Sequence, residues 1–544
     1  MPAPTSERTT LQLELVANRN RRDFLRLSAF AGAGLVVGVP ALAGCQSGSN
    51  TASSGAGTPP TTPTGVLRVA NNGEPVSFDP AIGASVADTG ITAHNVYESL
   101  VRYKGSTSDL EGVLATSFES SPDAREWLFH IRDGVVFHDG EPLTSSAAKA
   151  SFEYAKSSAG AFGNFLPTKA VYDDSDPHVL RVTVPTPFPD LARNLSVLRV
   201  VSPKLIHAGP AAVAKTPSGT GPFKFVSYTT AQTVVLEANP NYRGPGPYLQ
   251  RVEFPIIPDA DARVAALRSG SIDMVLRLAP QNAVSLRGTR DIEVVQNNSW
   301  AVGRLSLATK TAPLDNPKIR QALAHAIDRQ ALVKAVLGGV GGAIDDSWVA
   351  PGLYGCHPPA AAAYTYDQGL AKRLVAESGV ATPIPLTIVW SPDEGAQFGQ
   401  MAQAIAGMLN PIGFNVDVRS VTLDQKNKVN TAAAGTARAW PAAVEGSRFI
   451  TGTGAHPIAL RFLQRNFQVD DQVLNSLQDR IMQTPNGPER LELFADLEQR
   501  ISEVVPEVPL YSEVTLHALR KSVQGFVPPQ DGILSNYGQT YVVG

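Results

Sequence analysis

A chain of 544 residues carries 46 basic and 49 acidic side chains, for a formal net charge of −3. With the two signs interspersed, there is no electrostatic case for nucleic acid or for an anionic lipid surface as a partner. Only two cysteines occur, Cys45 and Cys356, so a disulfide-built scaffold is excluded and the body must be held by its core.

The first element is Arg21-Arg22-Asp23-Phe24-Leu25, set just ahead of an uncharged small and apolar run from Leu27 to Ala43 that ends in Leu42-Ala43-Gly44-Cys45. A basic region, an apolar region and small residues at a cleavage point make an export signal. A spanning helix wants roughly 20 apolar residues; this run is shorter and is interrupted by Gly32, Gly34, Gly38 and Pro40. The Arg21-Arg22 pair resembles the twin-arginine export motif. Leu42-Ala43-Gly44-Cys45 resembles the lipobox of bacterial lipoproteins, which implies diacylation of Cys45. Residues 1–45 are therefore expected to be the signal. Residues 46–65 are almost all Ser, Thr, Gly, Ala, Asn and Pro, a composition that cannot offset its ordering entropy, so they read as a tether. As a flexible coil such a tether reaches roughly 25 Å.

The body that follows is long enough for two or three domains. Leu67-Arg68-Val69-Ala70 reads as a strand. Trp127–Arg132 and Val135–His138 read as two short strands joined at Asp133-Gly134, with a second turn at Asp139-Gly140. Pro317, after Asn316, opens a helix with Ile319, Ala322, Leu323, Ala326 and Ile327 on one face, expected to run to Gly338-Gly339. Leu386–Trp390 is a strand. Gln397–Leu409 is a helix with Phe398, Met401, Ile405 and Met408 on one side, and Phe414–Val418 is a further strand. Strand, helix and strand with short joints predict a parallel crossover. The body is α/β with mixed sheets.

Several stretches together resemble the extracytoplasmic solute-binding proteins of the peptide, dipeptide and nickel class of ABC importers, family five. They are Gly73-Glu74-Pro75 with Phe78-Asp79-Pro80, Val96–Val101, Phe129–Gly140, Gly219-Thr220-Gly221-Pro222-Phe223, and Ile319–Leu323 through Ala326–Arg329. The resemblance implies a two-lobed fold of the type II periplasmic-binding kind with an extra inserted domain. It would place domain I at 66–107, 201–280 and 506–544, domain II at 108–200 and domain III at 281–505. It also implies a monomer that closes over a peptide or peptide-like solute and delivers it to permease and ATPase subunits. The alternative is a transport-inactive lipoprotein of the same fold, acting as a regulator or scaffold of the envelope.

Gly219-Thr220-Gly221-Pro222-Phe223 lacks the Lys-Ser/Thr pair of a phosphate loop and opens a strand, so its glycines are expected to serve unusual backbone angles. His138-Asp139-Gly140 reads as a capped surface hairpin. No zinc spacing and no nucleophile elbow or catalytic set occurs, so no cofactor, no metal and no enzymatic activity are expected. Peptide receptors of the family commonly carry Trp-x-x-Asp, the carboxylate pairing with the peptide α-ammonium. The matching stretch runs from Ala439 to Gly446, with Trp440 present, Ala443 at the aspartate position and Glu445 two residues on. Trp440 reads either as a pocket residue or as core packing, and Glu445 could take the charge role with a local backbone change. Arg438, Tyr97 and Phe78 are further ligand-binding candidates, from their neighbourhood to the family motifs.

Overall fold

The computed structural model describes residues 58–543 apart from 76, 83–90, 93, 105–106, 159, 161, 341, 343–348, 357–363, 431–438, 449–467 and 530–534. Arg21, Arg22, Cys45 and Arg438 lie outside the described residues. Ten strands form the main sheet: β1 (Val66–Ala70), β2 (Phe223–Thr229), β3 (Thr233–Ala238), β4 (Arg251–Pro255), β5 (Met274–Val275), β6 (Ile292–Leu307), β7 (Ile384–Trp390), β8 (Phe414–Ser420), β9 (Ala442–Arg448) and β10 (Glu507–Arg520). Their order is β8-β7-β9-β6-β10-β5-β1-β4-β3-β2.

β6 and β10 organise this sheet. They have 16 and 14 residues, against a usual five or six, and at about 3.3 Å per residue they run roughly 50 Å. Most of their positions are buried, as expected of strands covered on both faces. They pair antiparallel in two blocks, Ile292–Asn298 with Val514–Arg520 and Val302–Ser306 with Glu507–Ser512, with the register broken between Asn298 and Val302. The break marks a crossing. On one side β10 continues the sheet through β5 and β1, and on the other β6 continues it through β9 and β7.

The ladders fix a direction. β5 is antiparallel to β10 and so runs with β6, toward the crossing, and β1 runs parallel to β5. β9 is antiparallel to β6 and approaches the crossing from the other side, with β7 parallel to it. Carboxyl ends of parallel strands therefore face each other across the crossing. Each half has its own core: Leu67, Val69, Phe223, Val252 and Phe254 on one side, and Leu305, Leu386, Ile388, Met401, Ile405 and Val444 on the other.

The helices follow the caps. The Asn316 side chain accepts from the Lys318 amide and Pro317 opens α1 (Pro317–Ala326). The expected single helix is in fact two. Ile327 leaves the helical conformation, and Asp328 caps α2 (Arg329–Leu337) by accepting from the Ala331 amide, so a strong local cap breaks a continuous apolar face. Gly338, at φ +61°, ends α2 as expected. α3 (Ala396–Leu409) buries Phe398, Met401 and Ile405 and joins β7 to β8, which pair in parallel as predicted. α4 (Leu423–Asn430) and α5 (Pro488–Val504) follow.

A separate four-stranded antiparallel sheet comes from residues 115–183, in the order Ala115–Ser120, Glu126–Ile131, Val179–Thr183, Val171–Asp176. Here the predicted hairpin is corrected. Glu126–Ile131 pairs with its two sheet neighbours, whereas Val136 makes a lone bridge to Pro142. Two flanking strands, one adjacent in the chain and one some fifty residues on, bury Trp127 and Phe129 in the sheet core, which an isolated two-stranded hairpin could not do. This body is tied to α5 by a fully buried ion pair. Arg490 donates from Nη1 and Nη2 to the two carboxylate oxygens of Asp190 at 3.0 and 2.5 Å, from Nη1 to Asn486 Oδ1 at 2.6 Å and from Nε to the Ile481 carbonyl at 3.0 Å. Asn486 in turn donates to the Pro189 carbonyl at 2.8 Å.

Candidate ligand-binding cleft

In open α/β sheets, ligands bind beyond the carboxyl ends of the strands. The crossing brings two such ends together, and a cavity of about 810 Å³ lies there. That volume falls within the roughly 300–1,000 Å³ of sites that enclose a small ligand. One wall is the segment leaving β5, with Arg277 and Gln281. The other is the segment leaving β7 and the start of α3, with Glu394, Gln397 and Gln400. Tyr511, Glu513 and Thr515 of β10 and the end of α2 complete it.

Both walls carry unusual backbone. Arg277 has φ +51°, a left-handed conformation that is rare for a long side chain and gathers at functional sites. Gly395, at φ +137°, turns the chain into α3. Behind Arg277, burial and then the nearby guanidinium push the His517 imidazole down to about 3, so it stays neutral.

Glu394 is held from behind. Lys426 of α4 donates to its two oxygens at 2.6 and 2.5 Å, and to Glu445 Oε2 at 2.9 Å. Ser306 donates to the other oxygen of Glu445 at 2.5 Å. Arg304, which faces Glu445 across the β6–β9 ladder, pairs with Glu507. Asp393 accepts from the Leu423 amide at 2.9 Å, which fixes the same turn to α4. Burial raises the Glu394 carboxyl above the ordinary range, and Lys426 only partly opposes it. Burial also works against Glu445, but Lys426 and Ser306 outweigh it and hold that carboxyl below the usual range. Burial lowers Lys426, yet its two carboxylates keep the ammonium more basic than usual.

Of the residues singled out in the sequence, Tyr97, Phe78, Trp440 and Glu445 do not line this cavity. Tyr97 and Phe78 are buried in the core around β1, Phe78 against the Phe225 and Tyr228 rings. Glu445 is buried with the protein's own Lys426 as its counter-charge. Trp440 is half-buried just before β9, whose far end at Ala442 meets Leu307 and lies roughly 20 Å along the strand from the crossing, at about 3.3 Å per residue. Ala443 is buried inside the sheet, between Ser306 and Val389. The stretch from Ala442 to Arg448 is a strand, and Ala443 is not among the residues that line this cavity.

Two further expectations change. Gly219 and Gly221 are not in the left-handed region; they permit close approach, since a Cβ would stand 2.2 Å from the Val96 carbonyl oxygen and 2.5 Å from that of Asn95. The 138–140 turn is a surface hairpin closed by the Val136–Pro142 bridge, with Asp139 accepting from the Glu141 amide, but the His138 side chain turns inward. It is half-buried, with Nε2 donating to the Gly221 carbonyl at 3.0 Å.

Two sheet halves joined by paired crossing strands, with a cavity between their carboxyl ends, define a two-lobed binding protein of the type II periplasmic-binding fold. The chain matches the model of the bacterial extracellular solute-binding proteins, family 5 (middle region), over residues 109–450, and it belongs to that family. It is 30% identical over 371 residues to the probable D,D-dipeptide-binding periplasmic protein DdpA of Escherichia coli (strain K12), covering 66% of this chain and 71% of that protein. In fold it resembles the ABC transporter substrate binding protein CtaP of Listeria monocytogenes, with a TM-score of 0.80 at 21% identity over 88% of this chain and 100% of the other. It likewise resembles DppA from Helicobacter pylori, solved with the peptide STSA, with a TM-score of 0.70 at 23% identity over 88% and 98%.

Proposed function

We propose that this protein is the solute receptor of a bacterial ABC importer, taking peptides or peptide-like solutes in the cleft and handing them to permease and ATPase subunits. The observation that carries the reading is the cavity at the crossing, bounded by both sheet halves. The amides of Gln281, Gln397 and Gln400 suit the donors and acceptors of a peptide backbone, and walls carrying charge of both signs suit its termini. The receptor has no catalytic role and acts as a monomer with three domains in two lobes, closing about β6 and β10. The Arg21-Arg22 signal exports it, and acylated Cys45 holds it at the outer face of the cell membrane. Native mass spectrometry of protein from its own host, followed by thermal melting against a tripeptide library, tests this. A bound peptide in hundredfold excess over its Kd should add about 2.7 kcal/mol of stability. Absence of any peptide-mass adduct and of any peptide-induced shift would overturn the peptide reading.

A further inference from the structure

Around the Glu394 wall the charges of the described residues do not balance. Arg304 and Lys426 supply two cations, while Glu394, Glu445 and Glu507 supply three carboxylates, linked through the Lys426 and Arg304 pairs and the Arg304–Glu445 ladder position. Four of the five side chains are closed to solvent, at 4% exposure for Arg304, 1% for Glu507, 3% for Lys426 and 9% for Glu445; Glu394, at 19%, is the member that opens to the cavity. An excess of one charge sign in such surroundings is costly even when each carboxylate touches a cation, and the cost is relieved by a further counter-charge reaching the one open member. We propose that Glu394 is the anchor for a positively charged group of the ligand, an ammonium or a guanidinium, and that Lys426 is a positioning residue that holds Glu394 against the cleft. The proposal rests on the reading of this cavity as the ligand cleft.

The remaining charges near Glu394 agree with it. Asp393, on its own turn, adds negative potential. Across the cavity, Glu513 of β10 adds another carboxylate. Arg277 is the cation of the opposite wall. The elevated carboxyl of Glu394 gives the binding step a pH signature. A ligand cation selects the ionised form, so binding releases a proton when the pH lies below the raised value. Affinity therefore climbs with pH through that range and levels off above it.

The test compares matched probes on the full-length receptor and on Glu394→Gln. Tripeptides with free and acetylated N-termini, and with lysine against norleucine, form one set. Argininamide and cadaverine against neutral isosteres form a second. Wild-type protein should favour the cationic member by about tenfold or more, the equivalent of ~1.4 kcal/mol. Glu394→Gln should abolish that preference and flatten the pH dependence. Lys426→Arg should retain both, because it keeps a cation beside both carboxylates. Peptide binding that ignores charge, or a charge preference that survives Glu394→Gln, overturns the anchor while the peptide reading stands. Cation preference confined to the non-peptide set supports the anchor and overturns the peptide reading. Binding of neither set overturns both.

Discussion

Replacing Asp190 by Asn removes one charge from the most completely buried ion pair in the described residues while keeping its shape. Arg490 is 0% exposed and Asp190 1%, so the guanidinium left behind has no solvent to turn to. It keeps its bonds to Asn486 and the Ile481 carbonyl but loses the carboxylate that neutralises it. Breaking such a pair from one side costs roughly 3–5 kcal/mol, a fifth or more of the roughly 5–15 kcal/mol that holds an ordinary domain together. Urea unfolding followed by tryptophan fluorescence measures the loss. Because Arg490 belongs to α5 and Asp190 to the body of the four-stranded sheet, hydrogen exchange should rise first in 472–504 and 186–196. Removing both charges, with Asp190→Leu and Arg490→Met together, should recover most of the loss, since an apolar replacement of a buried pair is often neutral. A loss below about 1 kcal/mol for Asp190→Asn, or a double variant no better than the single one, would refute the assignment of a buried, mutually dependent pair.

Other outcomes are expected. Burial pushes the His138 imidazole down to about 4 from an ordinary 6.5. The folded state therefore binds fewer protons there than the unfolded chain, and stability attributable to His138 is present above pH 6.5 and lost as the pH falls toward 4. His138→Gln should flatten that part of a pH–stability profile. Ala443→Asp should leave ligand preference unchanged and instead lower the melting temperature, because it buries a further carboxylate on the β9 ladder two residues from Glu445. Cys45→Ala should abolish lipid labelling and membrane retention, and continued labelling would remove Cys45 as the acylated residue.

Elements governed by local rules were legible in the sequence. The turn into α1 at Asn316-Pro317 and the crossover from β7 through α3 to β8 follow from caps and periodicity, and the structure holds them as read. The split at Asp328 was hidden because the apolar face runs through it while a cap acts on only a few amides. The partners of Glu126–Ile131 were hidden for a different reason: one lies some fifty residues downstream. The cleft suffered most. Its walls come from segments near 277, 394 and 513, and only the sheet topology brings them together. A usable signal did exist in Pro392-Asp393-Glu394-Gly395, a turn between a readable strand and a readable helix, which marks a strand's carboxyl end. Trp440 drew attention through a four-residue motif, and the alternation of Ala442 and Val444 against Ala443 and Glu445 was the better guide, since it spells a strand.

The broken register between Asn298 and Val302 also governs how such a molecule could deform. On either side of it, β6 and β10 are clamped by ladders to rigid neighbours, so neither strand can slide past the other without tearing one sheet half. Between the two blocks, only Ser299–Ala301 of β6 have no ladder partner on β10. Deformation confined there turns the two halves as whole bodies, like covers about a spine, and leaves each core intact. The walls bearing Arg277 and Glu394 would then change their separation while keeping their own internal geometry, which lets one site report occupancy through shape alone.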